Sequence, residues 1–458
     1  MRSGIQPQAM DHRHRPAGRD ASSPQAPWGW LGVLKPWPLA GALIALATYA
    51  VLQRHGIKLT EDGWAYWQSA ISLTEGAGFR YFSGNPIIAW PPLYSLYLAG
   101  WSIVLGPHAL ALIVGNGVLI TAQAYLWIML AFILAGDRNS WLLNACIAVW
   151  LGLFVPLTQM SVLAHNLNLA LLSAFLICVW QLVERPRIER GVFTLTVLLA
   201  VTMMLTHNSS IIFLGTAGVV IAWLPTWPMR LRLSAGSALI AAGLLASLGT
   251  RLFLGQSGSH PPVGGRYSVP ETIIQALQGL GLMLGPALFW PITVSLFVIA
   301  FAVVARNSRR DQDRFVIAFC LFPLLALISL FSVIWLNGTI SEHRHLLFIP
   351  LLACPYIILN GHRLGAILLS LAVAFLLSMQ TYRAVNWAFV INRTNLIPAV
   401  AKLSRVNSQG SVIRIGDQFL VGPIDWEEPT GGYSRNGTPQ WNASQAALKD
   451  RYGGVLTP

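Results

Sequence analysis

Charge is what this 458-residue sequence has least of. Only 10% of its residues are Asp, Glu, Lys or Arg, against 55% that are hydrophobic. A soluble domain carries about 25% charged residues, so this chain cannot cover itself with polar surface, and its mean hydropathy of +0.58 agrees. That excludes a cytosolic enzyme and a disordered protein. Cysteine is scarce as well: four residues, Cys146, Cys178, Cys320 and Cys354, all inside apolar runs. No metal spacing or disulfide framework follows from them, which excludes a stapled secreted module. They read as small core residues. Acidic residues number 17 against 30 basic ones, a formal charge of +13. No basic run is interleaved with aromatics on a soluble segment, so nucleic acid is not a partner. Loops beside an anionic membrane explain the excess.

What is present is a series of apolar runs about twenty residues long, the length a spanning helix needs. Lipid admits only segments that satisfy their own backbone, and the runs lack the alternation of a membrane barrel. The sequence therefore predicts an all-α polytopic membrane protein with about eleven transmembrane helices. The runs are 36–53, 108–135, 141–160, 166–183, 192–206 and 211–224, followed by 233–252, 277–304, 315–335, 346–360 and 364–381. Residues 1–32 read as a disordered cytoplasmic tail, 33–382 as the transmembrane domain, and 383–458 as a small outer C-terminal segment. The first outer loop, 54–107, is the longest. Within it Leu93–Leu105 is apolar but short and follows Pro91-Pro92, which suits a juxtamembrane helix rather than a span.

Orientation follows from short-loop Lys and Arg. Lys35, Arg138, Arg185, Arg187, Arg190, Arg230, Arg232, Arg306, Arg309, Arg310, Arg314 and Arg363 fall on one side. Only Arg54, Lys58, Arg80, Arg251, Arg266 and Arg344 fall on the other. The N-terminus is expected in the cytoplasm and the C-terminus outside, in a multi-pass protein of the plasma or inner membrane. No internal repeat of the transporter kind is visible.

Chemistry-capable residues collect on the expected outer face. Glu61 and Asp62 lie a few residues past the first run, in LTEDGWAYWQSAISLTEGAG. Trp64, Trp67, Ile71 and Thr74 recur at helical spacing, and Gly76 and Gly78 end the segment. This predicts a short helix lying on the membrane surface through its tryptophans, with Asp62 at its N-terminus. An N-cap and a general base are both open to that Asp. His165-Asn166 and His207-Asn208 fall at outer helix ends, where they either hydrogen-bond between helices or line a substrate cavity. The Gly- and Pro-rich stretch around Arg266 is either a lid or a connector.

Several of these motifs resemble one family. Asp62-x-x-x-Tyr66, the Glu75-Gly76-x-Gly78 stop and Trp90-Pro91-Pro92-Leu93-Tyr94 are similar to the first outer loop of GT-C membrane glycosyltransferases. The relevant groups are the dolichyl-phosphate-mannose–protein mannosyltransferases and bacterial relatives such as the lipid A aminoarabinose transferases. Arg344-His345-Leu346 with Pro350 resembles a late motif of the same families. The chain departs from them in its Glu61-Asp62 order, in Trp90 before Pro-Pro, and in Ala164-His165-Asn166 where relatives often carry an acid. The resemblance implies a GT-C-like fold and sugar transfer from a polyprenyl-phosphate donor to a glycan, lipid or protein acceptor at the outer face. It implies Asp62, with Glu61 beside it, as catalytic carboxylates. Tyr66, Lys58, Arg80, Arg266, Arg344 and His345 would bind substrate. No cofactor is required, although Asp62 with His343 could hold a divalent metal ion. A transporter or flippase of a lipid-linked or small polar substrate is the alternative. It would normally keep ionisable groups at mid-membrane depth, and the centres of these runs are free of Asp, Glu, Lys and Arg.

Overall fold

The computed structural model describes residues 36–57, 59, 61–80, 91–135, 140–253, 268–306, 310–332, 343–361, 364–389, 412–415 and 418–421. The fold below is that of the unit Trp37–Pro458. Helices dominate it: α1 (Pro36–Gln53), α2 (Glu61–Thr74), α3 (Leu93–Leu105), α4 (Ala109–Ala135), α5 (Trp141–Thr158), α6 (Ala164–Glu184), α7 (Arg190–Thr206) and α8 (Ser210–Trp223). They continue as α9 (Met229–Phe253), α10 (Val269–Leu284), α11 (Trp290–Arg306), α12 (Asp311–Ser332), α13 (His343–Leu346), α14 (Phe348–Leu359) and α15 (Ala366–Phe389). Eight helices among the described residues are long and apolar enough to cross a membrane: α1, α4, α5, α6, α9, α11 with the turn before it, α12 and α15. Three others expected among the spans, α7, α8 and α14, are apolar but only 17, 14 and 12 residues long. The count of eleven is therefore not reached by length. The four cysteines are free thiols, three of them buried.

α4 and α6 form the centre, with most of their residues enclosed by protein. α9, α11 and α15 lie at the periphery and turn leucines and other apolar side chains outward, as lipid-facing helices do. Close crossings rest on glycine. A Cβ on Gly152 of α5 would stand 2.9 Å from the carbonyl oxygen of Gly41 in α1. One on Gly236 of α9 would stand 2.9 Å from that of Gly218 in α8. Small residues let backbones approach where lipid supplies no hydrophobic drive between helices.

One expected span divides. The run 277–304 becomes α10 and α11, separated by a 3₁₀ turn at Ala287–Phe289. Gly285-Pro286 sits at the break, because proline cannot continue the hydrogen-bond ladder and disfavours helical geometry in the residue before it. α10 folds back on α11, where a Cβ on Gly281 would lie 2.6 Å from the Trp290 carbonyl oxygen. Its first turn meets the end of α12 through Ser332 Oγ–H and Thr272 Oγ1 at 3.0 Å. Its C-terminal carbonyls, Met283 and Gly285, accept from the Arg383 guanidinium of α15. Thr272, Ala276, Leu280 and Met283 are buried while Ile273 and Ile274 stay exposed, so α10 turns an apolar face outward as well as inward. Glu271 caps it by accepting from the Ser268 N–H and hydroxyl, both at 2.8 Å, and those bonds hold its carboxyl below its usual range.

α3 has the bounds expected of the short juxtamembrane helix and ends at Gly106 with φ +79°. α15 runs on past Thr381 to Phe389. Beyond it the described residues are an antiparallel hairpin, β1 (Val412–Ile415) and β2 (Gln418–Val421), with Val412 opposite Val421. The hairpin lies beyond the transmembrane domain, which is helical as expected.

Candidate active site

Eight residues past the end of α1, α2 begins and carries the motif carboxylates into the fold. Its first residue is Glu61 and its second is Asp62, and Thr60 before it lies outside the described residues. Asp62 is thus a first-turn carboxylate rather than the cap. There the exposed N–H groups of the helix terminus favour a negative charge. The side chain is half-buried. The far end of α2 closes as expected. Gly76 takes φ +76°, its N–H donates to the Leu73 carbonyl, and the Ala77 N–H donates to that of Ser72. This is the Schellman arrangement, which requires a left-handed residue and so selects glycine.

The structure corrects the expected surface-lying helix. Ala65 through Ser72 are all buried, and Trp67 is 0% exposed. Trp67 packs with Ile57, Ile71, Tyr94, Leu98 and Leu112 in one apolar cluster. The tryptophan faces protein because α3 and α4 cover the helix, which periodicity alone cannot reveal. Tyr66 is 4% exposed and meets Tyr94 edge-on at 5.1 Å. Tyr94 stacks on Tyr97, and the Tyr97 hydroxyl donates to the Gly115 carbonyl of α4 at 2.7 Å. This ladder of rings fixes α2 to α3 and α3 to α4. Tyr66, four residues after Asp62 and expected to bind substrate, is thus buried at the head of this ladder.

Beneath α2 the same end of the bundle is tied by buried amides. Asn166 Nδ2 donates to Asn116 Oδ1 at 2.6 Å, to the Ser161 carbonyl at 2.7 Å and to that of Gln159 at 3.1 Å. Asn116 Nδ2 reaches the Tyr49 hydroxyl at 3.3 Å, and Gln123 Nε2 donates to the Asn166 carbonyl at 2.7 Å. Gln53 adds a bond to the Met160 carbonyl. α1, α4 and α6 thereby grip the carbonyls that α5 and the following turn leave unsatisfied. Sequence reasoning passed over Asn116 and Gln123. Their signal was a lone amide inside an apolar run, which in lipid needs a partner on another helix.

Three imidazoles converge nearby. His165 of α6 and His207, which caps α7, have ring centroids 4.0 Å apart. His345 of α13 stands 5.9 Å from His165 and 5.3 Å from Phe331. His207 Nδ1 accepts from the Ser209 backbone N–H at 3.2 Å and lies 2.6 Å from its hydroxyl, which leaves the proton of a neutral ring on Nε2. Ser210 Oγ–H donates to Asn168 Oδ1. Sequence analysis noted each histidine separately. Their meeting belongs to the tertiary structure.

Of the remaining candidates, Arg80 is exposed just beyond α2. Lys58 and Arg266 lie outside the described residues. Arg344 and His343 contribute backbone to α13, and their side chains, like that of Glu61, also lie outside. Among the described residues no group of three or more His, Cys, Asp or Glu side chains is set to hold a metal ion. The opposite end of the bundle carries Arg185, Arg187, Arg190, Arg230, Arg232, Arg306, Arg310 and Arg314 at helix termini and turns. There the Trp227 indole donates to the Arg185 carbonyl.

No protein-family profile matches this sequence, and no curated protein does. Solved structures are similar to it. One is ArnT from Cupriavidus metallidurans bound to undecaprenyl phosphate, at 15% identity and a TM-score of 0.46 over 74% of this chain and 61% of that one. Apo ArnT gives 14% and 0.48 over 74% and 60%. The arabinosyltransferase EmbB from Mycobacterium smegmatis gives 16% and 0.39 over 82% and 42%. The chain thus spans about three fifths of the ArnT length and less than half that of EmbB.

Proposed function

We propose that this protein is a GT-C-type membrane glycosyltransferase that moves a sugar from a polyprenyl-phosphate donor to an acceptor hydroxyl. The observation that carries the proposal is the half-buried Asp62 carboxylate in the first turn of α2. The helix that carries it is fixed to α3 by the Tyr66–Tyr94–Tyr97 ladder. A lipid-linked donor keeps its chain in the bilayer and presents its phosphate and sugar at this depth. Asp62 takes the proton of the acceptor hydroxyl as its oxygen bonds to the anomeric carbon. The bond from that carbon to the phosphate oxygen breaks, and the polyprenyl phosphate leaves with the electron pair. Cations stabilise the charge that develops on it, and Arg344 is the cation that matches a family motif. The Asp, Glu, Lys and Arg residues of the described spans lie within two turns of a helix end, which favours an enzyme over a transporter. A purified preparation offered labelled polyprenyl-phosphate sugars and a panel of acceptors tests the proposal. Absence of transfer across the panel, with transport of the same donor into vesicles, would favour a flippase instead.

Two further results are expected. The basic end belongs in the cytoplasm by the positive-inside rule, which puts α2 outside. Cysteines introduced at Ser83 and Ser434 should react with an impermeant thiol reagent applied to intact cells, and one at Ser308 should not. Labelling at Ser308 would reverse the orientation and remove Asp62 from the outer face. In the second, Arg344→Ala should cost about 1.5–3 kcal/mol of transition-state stabilisation, seen as a rate lower by about one to two orders of magnitude. Arg344→Lys should recover part of it, since a point charge replaces a planar fork. Wild-type rates in the alanine variant would take Arg344 out of the site.

A further inference from the structure

α15 carries one charged side chain, Arg383, in its last two turns. Among the described residues no carboxylate pairs with it. Its guanidinium instead donates through both terminal nitrogens to the carbonyls of Met283 and Gly285, the second at 2.9 Å. These carbonyls close α10, and a helix C-terminus offers unsatisfied acceptors and the negative pole of its dipole. A planar fork of N–H donors can meet both, which a point charge cannot. The contact also joins elements far apart in the chain, since α15 follows α10 by four helices. Gly285-Pro286 has already broken the helix there. Gly281 lets α10 lie close on α11, but a glycine contact carries no directional bond. The guanidinium supplies that direction.

From its anchored end α10 runs back to α12 and α13 and packs on both. Thr272 meets Ser332 of α12. The residue before Ser332 is Phe331, whose ring lies 5.3 Å from that of His345, and His345 stands 5.9 Å from His165. α13 is only four residues long. One turn cannot hold itself, because nucleating a helix costs more than its first bond returns. Its placement is therefore set by α10, α12 and α14 around it. We propose that Arg383 is a positioning residue for the outer-face site. By fixing the C-terminal end of α10 it holds that helix against α12 and α13, and so fixes the backbone that carries Arg344 and His345. Those two residues bear on catalysis only on the transferase reading above, whereas the coupling from α15 to α13 does not depend on it.

Hydrogen exchange of the full chain in uncharged detergent, read by mass spectrometry, tests the coupling. Arg383→Gln should speed exchange over residues 280–285 and 343–348 by about tenfold, the loss of one charge-assisted bond, while α2 and α4 keep wild-type protection. Arg383→Lys keeps the charge and should restore part of the protection at 343–348. Thr272→Val keeps the side-chain shape and removes the Ser332 bond at the other end of α10. It should loosen 343–348 with Arg383 in place. In transfer from a polyprenyl-phosphate sugar, Arg383→Gln should lower kcat about tenfold with the donor KM unchanged, the pattern of a contact made only in the transition state. A wild-type chain that transfers no sugar would sink the transferase reading and leave exchange to decide the coupling. Loosening confined to 280–285, or spread equally over α2 and α4, would reduce Arg383 to an ordinary helix cap and overturn the proposal. So would a wild-type kcat in a variant whose residues 343–348 have loosened.

Discussion

Replacing Asp62 by Asn should leave a folded protein with almost no transferase activity. The substitution keeps size and hydrogen-bonding capacity and removes only the charge. In the first turn of α2, losing a carboxylate near the helix terminus costs about 0.3–1 kcal/mol, a small change in unfolding temperature. Removing a general base lowers turnover by a factor of about 10² to 10⁴. The two readouts therefore separate the roles. If Asp62 serves only the helix terminus, the Asn variant is slightly less stable and transfers sugar at the wild-type rate. If it is the base, stability is nearly kept and turnover collapses. Glu61→Gln should do less harm, because Tyr66 lies four residues beyond Asp62 and locks its register against Tyr94. A stable, fully active Asp62→Asn protein would leave α2 without a catalytic carboxylate.

The largest loss of stability is expected at Asn166. Asn166→Leu keeps the branched shape but strands Asn116 Oδ1 and the Ser161 carbonyl, its two shortest acceptors. Leaving a buried polar group unsatisfied costs about 1–3 kcal/mol each. Interhelical bonds in lipid are often worth less, on average about 0.6 kcal/mol, because the unfolded chain finds other partners in the membrane. Here the stranded groups sit where α4 meets the junction of α5 and α6, so the full penalty applies. The check is thermal unfolding in detergent, with Asn116→Leu and the double variant completing a cycle. The double variant should be more stable than the sum of the single losses, since removing both partners leaves fewer orphans. An unchanged midpoint for Asn166→Leu would show that the amide cluster does not hold the helices together. Because the same turn of α6 carries His165, activity should fall with stability.

Much of the architecture is legible without coordinates, for a simple reason. In lipid each spanning helix must satisfy its own backbone, so an apolar run of the right length has one solution. α1, α4 and α6 lie almost where their runs do, and α3 has the expected bounds because Pro-Pro and Gly106 punctuate it. The α2 stop is equally local, since only a residue free to adopt φ +76° closes that turn well, and Gly76 is one. The break before α11 was just as local in Gly285-Pro286, but hydropathy averaged across it.

What the sequence by itself determined, then, is whatever depends on neighbours along the chain: spans, stops, the basic end, and a carboxylate opening the first loop helix. What only the tertiary structure decided depends on neighbours across it. Trp67 is a core residue because α3 and α4 happen to cover it, and its spacing would have served a lipid-facing side chain equally well. His165, His207 and His345, up to 180 positions apart (345 − 165), form one cluster because α6, α7 and α13 end at the same place. The amides of Asn116 and Asn166 find each other for the same reason. Periodicity tells which side of a helix is apolar; only packing tells what stands opposite.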